Sequence, residues 1–294
     1  MSPEAPMWPK AILKAGYATC LIGKSHLHTD LGDMVAREYL VHRYGFEHVN
    51  EVSGPHSTCQ TRTHLSDLWK EKGLFQAYCD DMKKREGEVT GAWASPLPLN
   101  DYYDCYVGRM AKEYLESYDQ DKPWFCHVSF SGPHEPWDAP APYDAMYDPA
   151  DMPASVPRFR DACPQRPNGY LDQLFTKKGS VCRDETLARE LKANYCGKVS
   201  LIDKLIGDLL ETVRQRGQWD DTVIVFTSDH GEMNGDHGIV KKRNFLRQSL
   251  NIPLIIRTPA TMSTGGWSSD ALVSLLDVGP TLVEAAGGRV DWTQ

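Results

Sequence analysis

Apolar side chains recur at three- and four-residue steps along two long stretches, the spacing that places them on one face of a helix. Residues 184–217 give the clearer helix, ended by Gly217; its stripe is Leu187, Leu191, Tyr195, Val199, Ile202, Ile206, Leu209 and Val213. Residues 101–118 predict a second helix. The segment WPKAILKAG, closed by Gly16, and the segment PTLVEAAGG, with Pro280 near its start, predict shorter helices at the two ends of the chain.

Four short apolar runs lie between these helices and do not alternate in polarity: YATCLIG, WFCHVSF, TVIVFT and IPLIIRT. Such runs suit strands that are buried on both faces. DALVSLLDV reads as a further short strand or a turn. Strands that alternate with helices predict an α/β fold, with a mixed, mostly parallel sheet sandwiched between helices. We expect residues 1–294 to form a single domain.

Two segments interrupt this alternation with weak periodicity and many polar residues. Residues 30–100 are expected to be loops and short helices, and residues 133–182 an ordered surface loop that walls a pocket.

Composition narrows the function classes. The net charge of −8 argues against a nucleic-acid or anionic-membrane surface, and no apolar run approaches the ~20 residues of a membrane span. The eight cysteines form no CxxC pair, so we expect buried free thiols rather than a zinc site or a disulfide framework. MSPEAPMWPK lacks the apolar stretch of a signal peptide. The compartment therefore stays open, with the cytoplasm as the default expectation.

Groups capable of chemistry follow three of the predicted strands. Lys24 and His26 follow YATCLIG, His134 follows WFCHVSF, and Asp229 and His230 follow TVIVFT. Ligands of open α/β sheets gather beyond the carboxyl ends of the strands. The sequence therefore predicts one site that collects these side chains.

Each of these groups has a plainer alternative. Asp229 and His230 offer a carboxylate oxygen and an imidazole nitrogen to a divalent metal, but Asp229 would equally cap a helix beginning near Glu232. Lys24 and His26 would grip an anionic oxygen, or lie in a solvated loop.

His134, flanked by prolines, would protonate a leaving group, or be an ordinary loop histidine. Lys242 would turn inward toward an anion, or belong to a solvated basic triplet. A second Asp-His pair, Asp236 and His237, lies in a glycine-rich turn and suits a loop-ordering role. We assign His28 no functional role.

Five segments, in order, resemble the successive blocks of the sulfatase family of the alkaline phosphatase superfamily. The resemblance runs from about Pro9 to Gly288. Its segments are GYATCLIGKSHLH, PWFCHVSFSGPHEPW, LIDKLIGDLLETVRQRGQWDDTVIVFTSDHGEMNGDHG, KKRNFLRQSLNIPLIIRTP and VSLLDVGPTLVEAAG.

The resemblance implies an alkaline phosphatase-like fold and a bound divalent metal. Asp229 and His230 match the second pair of metal ligands. The expected ion is Ca²⁺, with Mn²⁺ or Zn²⁺ as alternatives.

The resemblance also implies catalytic roles for four residues. Lys24 matches the lysine that holds the sulfate and the nucleophile, and His26 the histidine that helps to expel the product. His134 and Lys242 match the pair beside the leaving-group oxygen.

The family's nucleophile, a cysteine or serine in C/S-x-P/A-x-R, is not found, nor is the further Asp pair of its metal site. CQTR at Cys59 and CPQR at Cys163 place the arginine three residues on, where the motif needs four. The chain is therefore expected to be incomplete, without the family's first strand, its nucleophile loop and its C-terminal antiparallel subdomain, and to have low stability alone.

The resemblance implies metal-dependent hydrolysis of small-molecule sulfate esters. The alternatives are phosphodiester or phosphonate monoester hydrolysis at the same site, which His230 favours slightly, and a non-catalytic, truncated sulfatase-like protein.

Overall fold

The structure is a computed structural model that describes residues 2, 4–5, 7–87, 91–158, 181–182, 184–259 and 266–289. Its strands are β1 (Ala18–Lys24), β2 (Gly32–Asp33), β3 (His48–Val52), β4 (Thr61–Arg62), β5 (Trp124–Ser129), β6 (Ile224–Thr227) and β7 (Leu254–Arg257). Its helices are α1 (Trp8–Lys14), α2 (Glu38–Arg43), α3 (His64–Glu71), α4 (Phe75–Gly87), α5 (Tyr103–Ser117), α6 (Glu185–Gln215), α7 (Arg247–Leu250) and α8 (Leu275–Ala285).

A parallel sheet positions the site. Strand β1 lies at its centre and pairs in parallel with β3 on one side and β5 on the other. All three strands therefore end at the same edge. A two-stranded parallel pair joins β2 to β4, and β6 pairs with β7 in an antiparallel ribbon.

Helices cover both faces of the parallel sheet, as the apolar runs predict. Ile22 packs into a core with Trp69 of α3, Val107 of α5 and Leu201 of α6. Its neighbour Leu21 points to the opposite face and packs with residues of α2 and the segment after it, namely Val41, Tyr44 and Phe46. Successive strand residues face opposite sides of the sheet, and in β1 both sides are buried.

The longest helix is the one that the sequence predicts most clearly. The Asp184 carboxylate accepts the backbone N–H groups of Thr186 and Leu187 and so caps the start of α6. The chain leaves α6 at Gly217, whose φ of 68° lies in the left-handed region.

The expectation that TVIVFT and IPLIIRT are buried is wrong. They form the β6–β7 ribbon, in which Phe226 is 38% exposed and Ile255 62% exposed. A run of apolar residues predicts a strand, but it does not show what packs on each face.

Residues 30–100 contain more regular structure than expected, including α4 and the central-sheet strand β3. At the other end, α8 begins at Leu275 behind a capping box of Ser274 and Asp277, so Pro280 lies inside this helix and no strand precedes it there. Residues 133–158 contain only one-turn helices at Tyr143–Ala145 and Pro149–Asp151; residues 159–180 lie outside the described part.

The expectation of buried free thiols is confirmed for Cys20 and Cys182, whereas Cys105, Cys126 and Cys196 are free but only partly buried. It is wrong for Cys59 and Cys79, which form a disulfide between the one-turn helix Thr58–Gln60 and α4. Cys163 lies outside the described residues. Among the described helices, none is long and apolar enough to cross a membrane. That the whole chain is one domain stays a prediction.

Candidate active site

Side chains from three distant segments meet at the edge where the parallel strands end. Lys242 Nζ donates a hydrogen bond to His134 Nε2. The imidazole rings of His134 and His230 lie 6.2 Å apart between centroids. The ends of β5 and β6 thus supply neighbouring histidines, although the two strands belong to different sheets.

Lys24, the last residue of β1, interacts electrostatically with the charged residues of this group. Burial is the largest cause that lowers the pKa of Lys24, and the charge of Lys242 lowers it further. The carboxylates of Asp229 and Glu135 oppose the shift. Two ammonium groups held close enough to repel each other form a suitable site for an anion. The structure therefore gathers Lys24, His134, Asp229, His230 and Lys242.

His26 is not in contact with these five residues. Its side chain is exposed, and its charge acts on Asp30. Burial acts to raise the pKa of Asp30, but hydrogen bonds from Ser57 and Gly54, together with His26, lower it overall.

Glu135 lies at the centre of the group and is not among the residues that the sequence singles out. Its Oε2 accepts a hydrogen bond from Lys242 Nζ at 2.9 Å, and its Oε1 lies 3.9 Å from Lys241 Nζ. His56 Nε2 is 3.8 Å from Oε1. Burial acts to raise the pKa of this carboxyl, but His56, His134 and Lys242 hold it well below its usual range. Its position beside His134, between two prolines, is the signal that would have found it.

The His134 imidazole is neutral near pH 7. Burial is the main cause that lowers its pKa to about 3. The Glu135 carboxylate opposes this shift, and the charges of Lys242 and Lys24 add to it. Its Nδ1 lies 2.6 Å from the carbonyl oxygen of Glu135, which suits a proton on Nδ1 and leaves Nε2 to accept from Lys242. In this pair, Lys242 is the group that carries a transferable proton.

Asp229 and His230 bring two potential ligand atoms close together. Asp229 Oδ2 lies 3.5 Å from His230 Nε2, a separation that two ligands of one ion adopt. His230 Nδ1 lies 2.9 Å from the carbonyl oxygen of Gly231, a contact that fixes the ring and leaves Nε2 free to ligate. The expected helix near Glu232 is absent, because residues 228–234 form no helix, so Asp229 caps nothing there.

A second group of potential metal ligands lies beside the first. Single ligand atoms of His56, His134 and Glu135 lie within 4.8 Å of one another. Lys241 and Lys242 already neutralise this carboxylate, so a cation there would compete with two ammonium groups. The chemistry of the donors therefore favours Asp229 and His230 as the metal ligands.

Asp236 and His237 tie loops together. The Asp236 carboxylate accepts the backbone N–H of Val156 and the Gln248 amide, each at 3.0 Å. His237 Nδ1 lies 2.9 Å from the carbonyl oxygen of Pro157. These contacts are those of a loop-ordering pair. Outside this pair, His28 Nε2 forms a hydrogen bond of 2.8 Å with Glu51 Oε2, a structural contact.

Comparison with known proteins identifies the class. Residues 8–288 match the model of the Sulfatase family, and the chain belongs to this family. It is 34% identical over 227 residues to the multifunctional alkaline phosphatase superfamily protein PehA of Trinickia caryophylli, which covers 71% of this chain and 44% of that protein. It is 28% identical over 277 residues to an arylsulfatase of Clostridium perfringens (strain 13 / Type A), covering 93% of this chain and 56% of that protein.

Among solved structures, the phosphonate monoester hydrolase of Agrobacterium radiobacter superposes with a TM-score of 0.71 at 23% identity, covering 96% of this chain and 58% of that chain. This likeness shows that the mixed α/β fold is of the alkaline phosphatase type. The chain spans about half the length of the curated relatives that it matches.

Proposed function

We propose that the protein hydrolyses sulfate esters of small molecules with the help of a divalent cation, at the edge where β1 and β5 end, beside the end of β6. The nucleophile that attacks the sulfur is not among the residues assigned to this site. One observation carries this proposal. In a chain of the sulfatase family, Lys24, His134, Asp229, His230 and Lys242 come from four separate segments to a common place.

Asp229 and His230 would hold the cation, with Ca²⁺ as the expected ion and Mn²⁺ or Zn²⁺ as alternatives. When bound, the cation would act as a Lewis acid toward an oxygen of the ester. The carboxylate oxygen is a ligand that Ca²⁺ and Mn²⁺ prefer, whereas the imidazole nitrogen is one that suits Zn²⁺.

The two lysines would bind the anionic oxygens of the ester, because each places an ammonium group in a partly buried setting. Lys242 would donate a proton toward the leaving-group oxygen, since its neighbour His134 is neutral and acts as an acceptor. His134 would orient Lys242 rather than supply the proton itself. His26 would act at the exposed rim of the site during product release.

The test is a comparison of the protein with two variants, assayed with an aryl sulfate in the presence of Ca²⁺ or Mn²⁺. Asp229→Ala should abolish turnover and metal binding. Asp220→Ala is the matched control, because Asp220 lies before the start of the same strand, is exposed, and pairs only loosely with Arg257 at 3.8 Å. Metal binding without turnover in the unchanged protein would instead support a non-catalytic sulfatase-like protein.

Phosphonate monoester or phosphodiester hydrolysis is the second candidate. His230 at a ligand position favours it slightly, and the likeness of the fold to a phosphonate monoester hydrolase is compatible with it. Rates with matched aryl sulfate and aryl phosphonate monoesters would separate the two, since both are tetrahedral monoanions that differ in the central atom and in the carbon group that phosphonates carry on it.

A further inference from the structure

A buried lysine lies directly beneath the loop that carries His134 and Glu135. Lys198 of α6 is only 2% exposed. Its ammonium donates to the carbonyl oxygens of His134 at 2.8 Å and Pro136 at 2.9 Å, and to Asp138 Oδ1 at 3.0 Å. All three hydrogens of the ammonium group are therefore donated in hydrogen bonds to the segment that follows β5.

Two other buried groups hold the same segment. The Asp104 carboxylate of α5 accepts the backbone N–H groups of Ser131 and Gly132 at 2.8 and 3.0 Å. Asn194, one turn before Lys198 on α6, accepts the N–H of Ala139 through Oδ1 at 3.0 Å. The segment 131–139 is thus fixed at both ends and in the middle by polar groups of the core.

Lys198 itself has no route to a substrate. The cavity that its ammonium lines has a volume of about 10 Å³, room for at most one water molecule. The carbonyls that it binds flank Glu135 on either side, so its influence reaches the site through the backbone.

We propose that Lys198 is a positioning residue of the candidate site, which aims the His134 imidazole at Lys242. A buried charge of this kind costs desolvation free energy, which an apolar side chain of similar volume would avoid. An apolar side chain, however, would lack the three hydrogen-bond donors with which Lys198 orients two peptide groups. The link to oxyanion binding rests on the proposed function, but the aiming of His134 does not.

The test is long-range ¹H–¹⁵N NMR of the histidine side chains, combined with calorimetric titration of inorganic sulfate. In the unchanged protein, His134 should be neutral with its proton on Nδ1. Lys198→Met should give His134 a mixture of tautomers and weaken sulfate binding about tenfold, the effect of one misaligned charge-assisted hydrogen bond. The double variant K198M/D138N removes both charges of the buried pair, so Asp138 is not left as a carboxylate without Lys198, and it tests the same point.

Lys192→Met is the matched control. Lys192 lies on the same helix and braces a different loop, through the carbonyl oxygen of Pro153, Ser155 Oγ and Asp236. This variant should lose stability without a change in the His134 spectrum or in the dissociation constant of sulfate.

Three results would overturn the proposal: a His134 proton on Nε2 in the unchanged protein, a K198M/D138N variant with the normal His134 spectrum and sulfate affinity, or the same spectral change in Lys192→Met. If the unchanged protein binds no sulfate, the proposed function fails, while the His134 spectra of the variants still decide the role of Lys198.

Discussion

At the scale of single residues, the site is a balance between one buried carboxylate and several cations. Glu135 faces Lys242 directly, with Lys241 and His56 a little further away. Without this carboxylate the lysines would repel one another in a partly buried place. With it, their charge toward a bound anion is reduced. Glu135 therefore stabilises the folded site and lowers its affinity for anions.

Glu135→Gln should lower the stability of the protein and raise its affinity for anions. We expect a loss of about 3–5 kcal/mol in the free energy of unfolding at pH 7, the usual cost of breaking a buried ion pair on one side. The folded pKa of Glu135 is depressed, so its contribution is present above the unfolded value of 4.5 and is lost as the pH falls toward the folded value. The stability difference between the two proteins should therefore shrink below about pH 4.5.

Sulfate should bind Glu135→Gln several times more tightly at pH 7, because the charge of Lys242 is no longer compensated. Urea unfolding and calorimetric titration measure the two effects. Glu211→Gln is the control, since it removes an exposed carboxylate that lies 3.6 Å from Arg214, and it should change neither quantity. Weaker sulfate binding by Glu135→Gln would show that orientation of Lys242 outweighs its charge.

At the scale of elements, the tetrapeptide Ser-Gly-Pro-His occurs twice, at residues 53–56 and 131–134. The first copy follows β3 and the second follows β5, the two strands that flank β1. Their histidine rings, His56 and His134, lie 6.0 Å apart between centroids. Because parallel strands end at one edge, this repetition is a sequence signal for His56, and it is a signal that reasoning from strand patterns alone missed.

The two copies are not equivalent in packing, which gives a prediction. A Cβ on Gly132 would lie 2.5 Å from Asp104 Oδ2 and 2.9 Å from Ile202 Cδ1, whereas a Cβ on Gly54 would meet its nearest atom at 3.4 Å. Gly132→Ala should therefore destabilise the protein by about 1–3 kcal/mol, as overpacking does, and should displace His134. Gly54→Ala should stay within about 0.5 kcal/mol.

Thermal unfolding and the NMR signals of His134 measure this difference. The two variants are matched, since each adds one methyl group to the same tetrapeptide at the same edge of the sheet. Equal losses of stability in both would show that the close contact between the Gly132 position and Asp104 does not control this loop.

At the scale of the whole molecule, the sequence predicts the elements whose apolar residues repeat at a regular spacing. It misses the elements that form because they pair with a neighbouring strand. The stripe of α6 and the apolar runs of β1 and β5 are visible because each packs a regular face. Strand β3, HVNEV, has mixed polarity and becomes a strand through its parallel pairing with β1. The candidate site follows the same division: the strand pattern points to residues that follow clear strands, whereas the contact of Glu135 with His56 is seen only when the two loops lie side by side.

The described surface carries large apolar side chains that are far more exposed than those of the core. Leu272, which precedes α8, is 102% exposed, Leu276 in the first turn of α8 is 85% exposed, and Ile255 of the β6–β7 ribbon is 62% exposed. Large exposed apolar side chains promote self-association. We therefore expect the chain alone to unfold at a low temperature and to bind the dye 1-anilinonaphthalene-8-sulfonate under native conditions.

Leu272→Lys with Leu276→Lys should reduce dye binding and self-association, without loss of the free energy of unfolding, because neither side chain is buried. Leu31→Lys is the control, since Leu31 is also exposed, at 50%, but lies in the loop after β1, and it should leave dye binding unchanged. Dye fluorescence, light scattering and calorimetry give the three readouts. A cooperative unfolding transition well above ambient temperature, with no dye bound to the unchanged chain, would contradict this account of the exposed leucines.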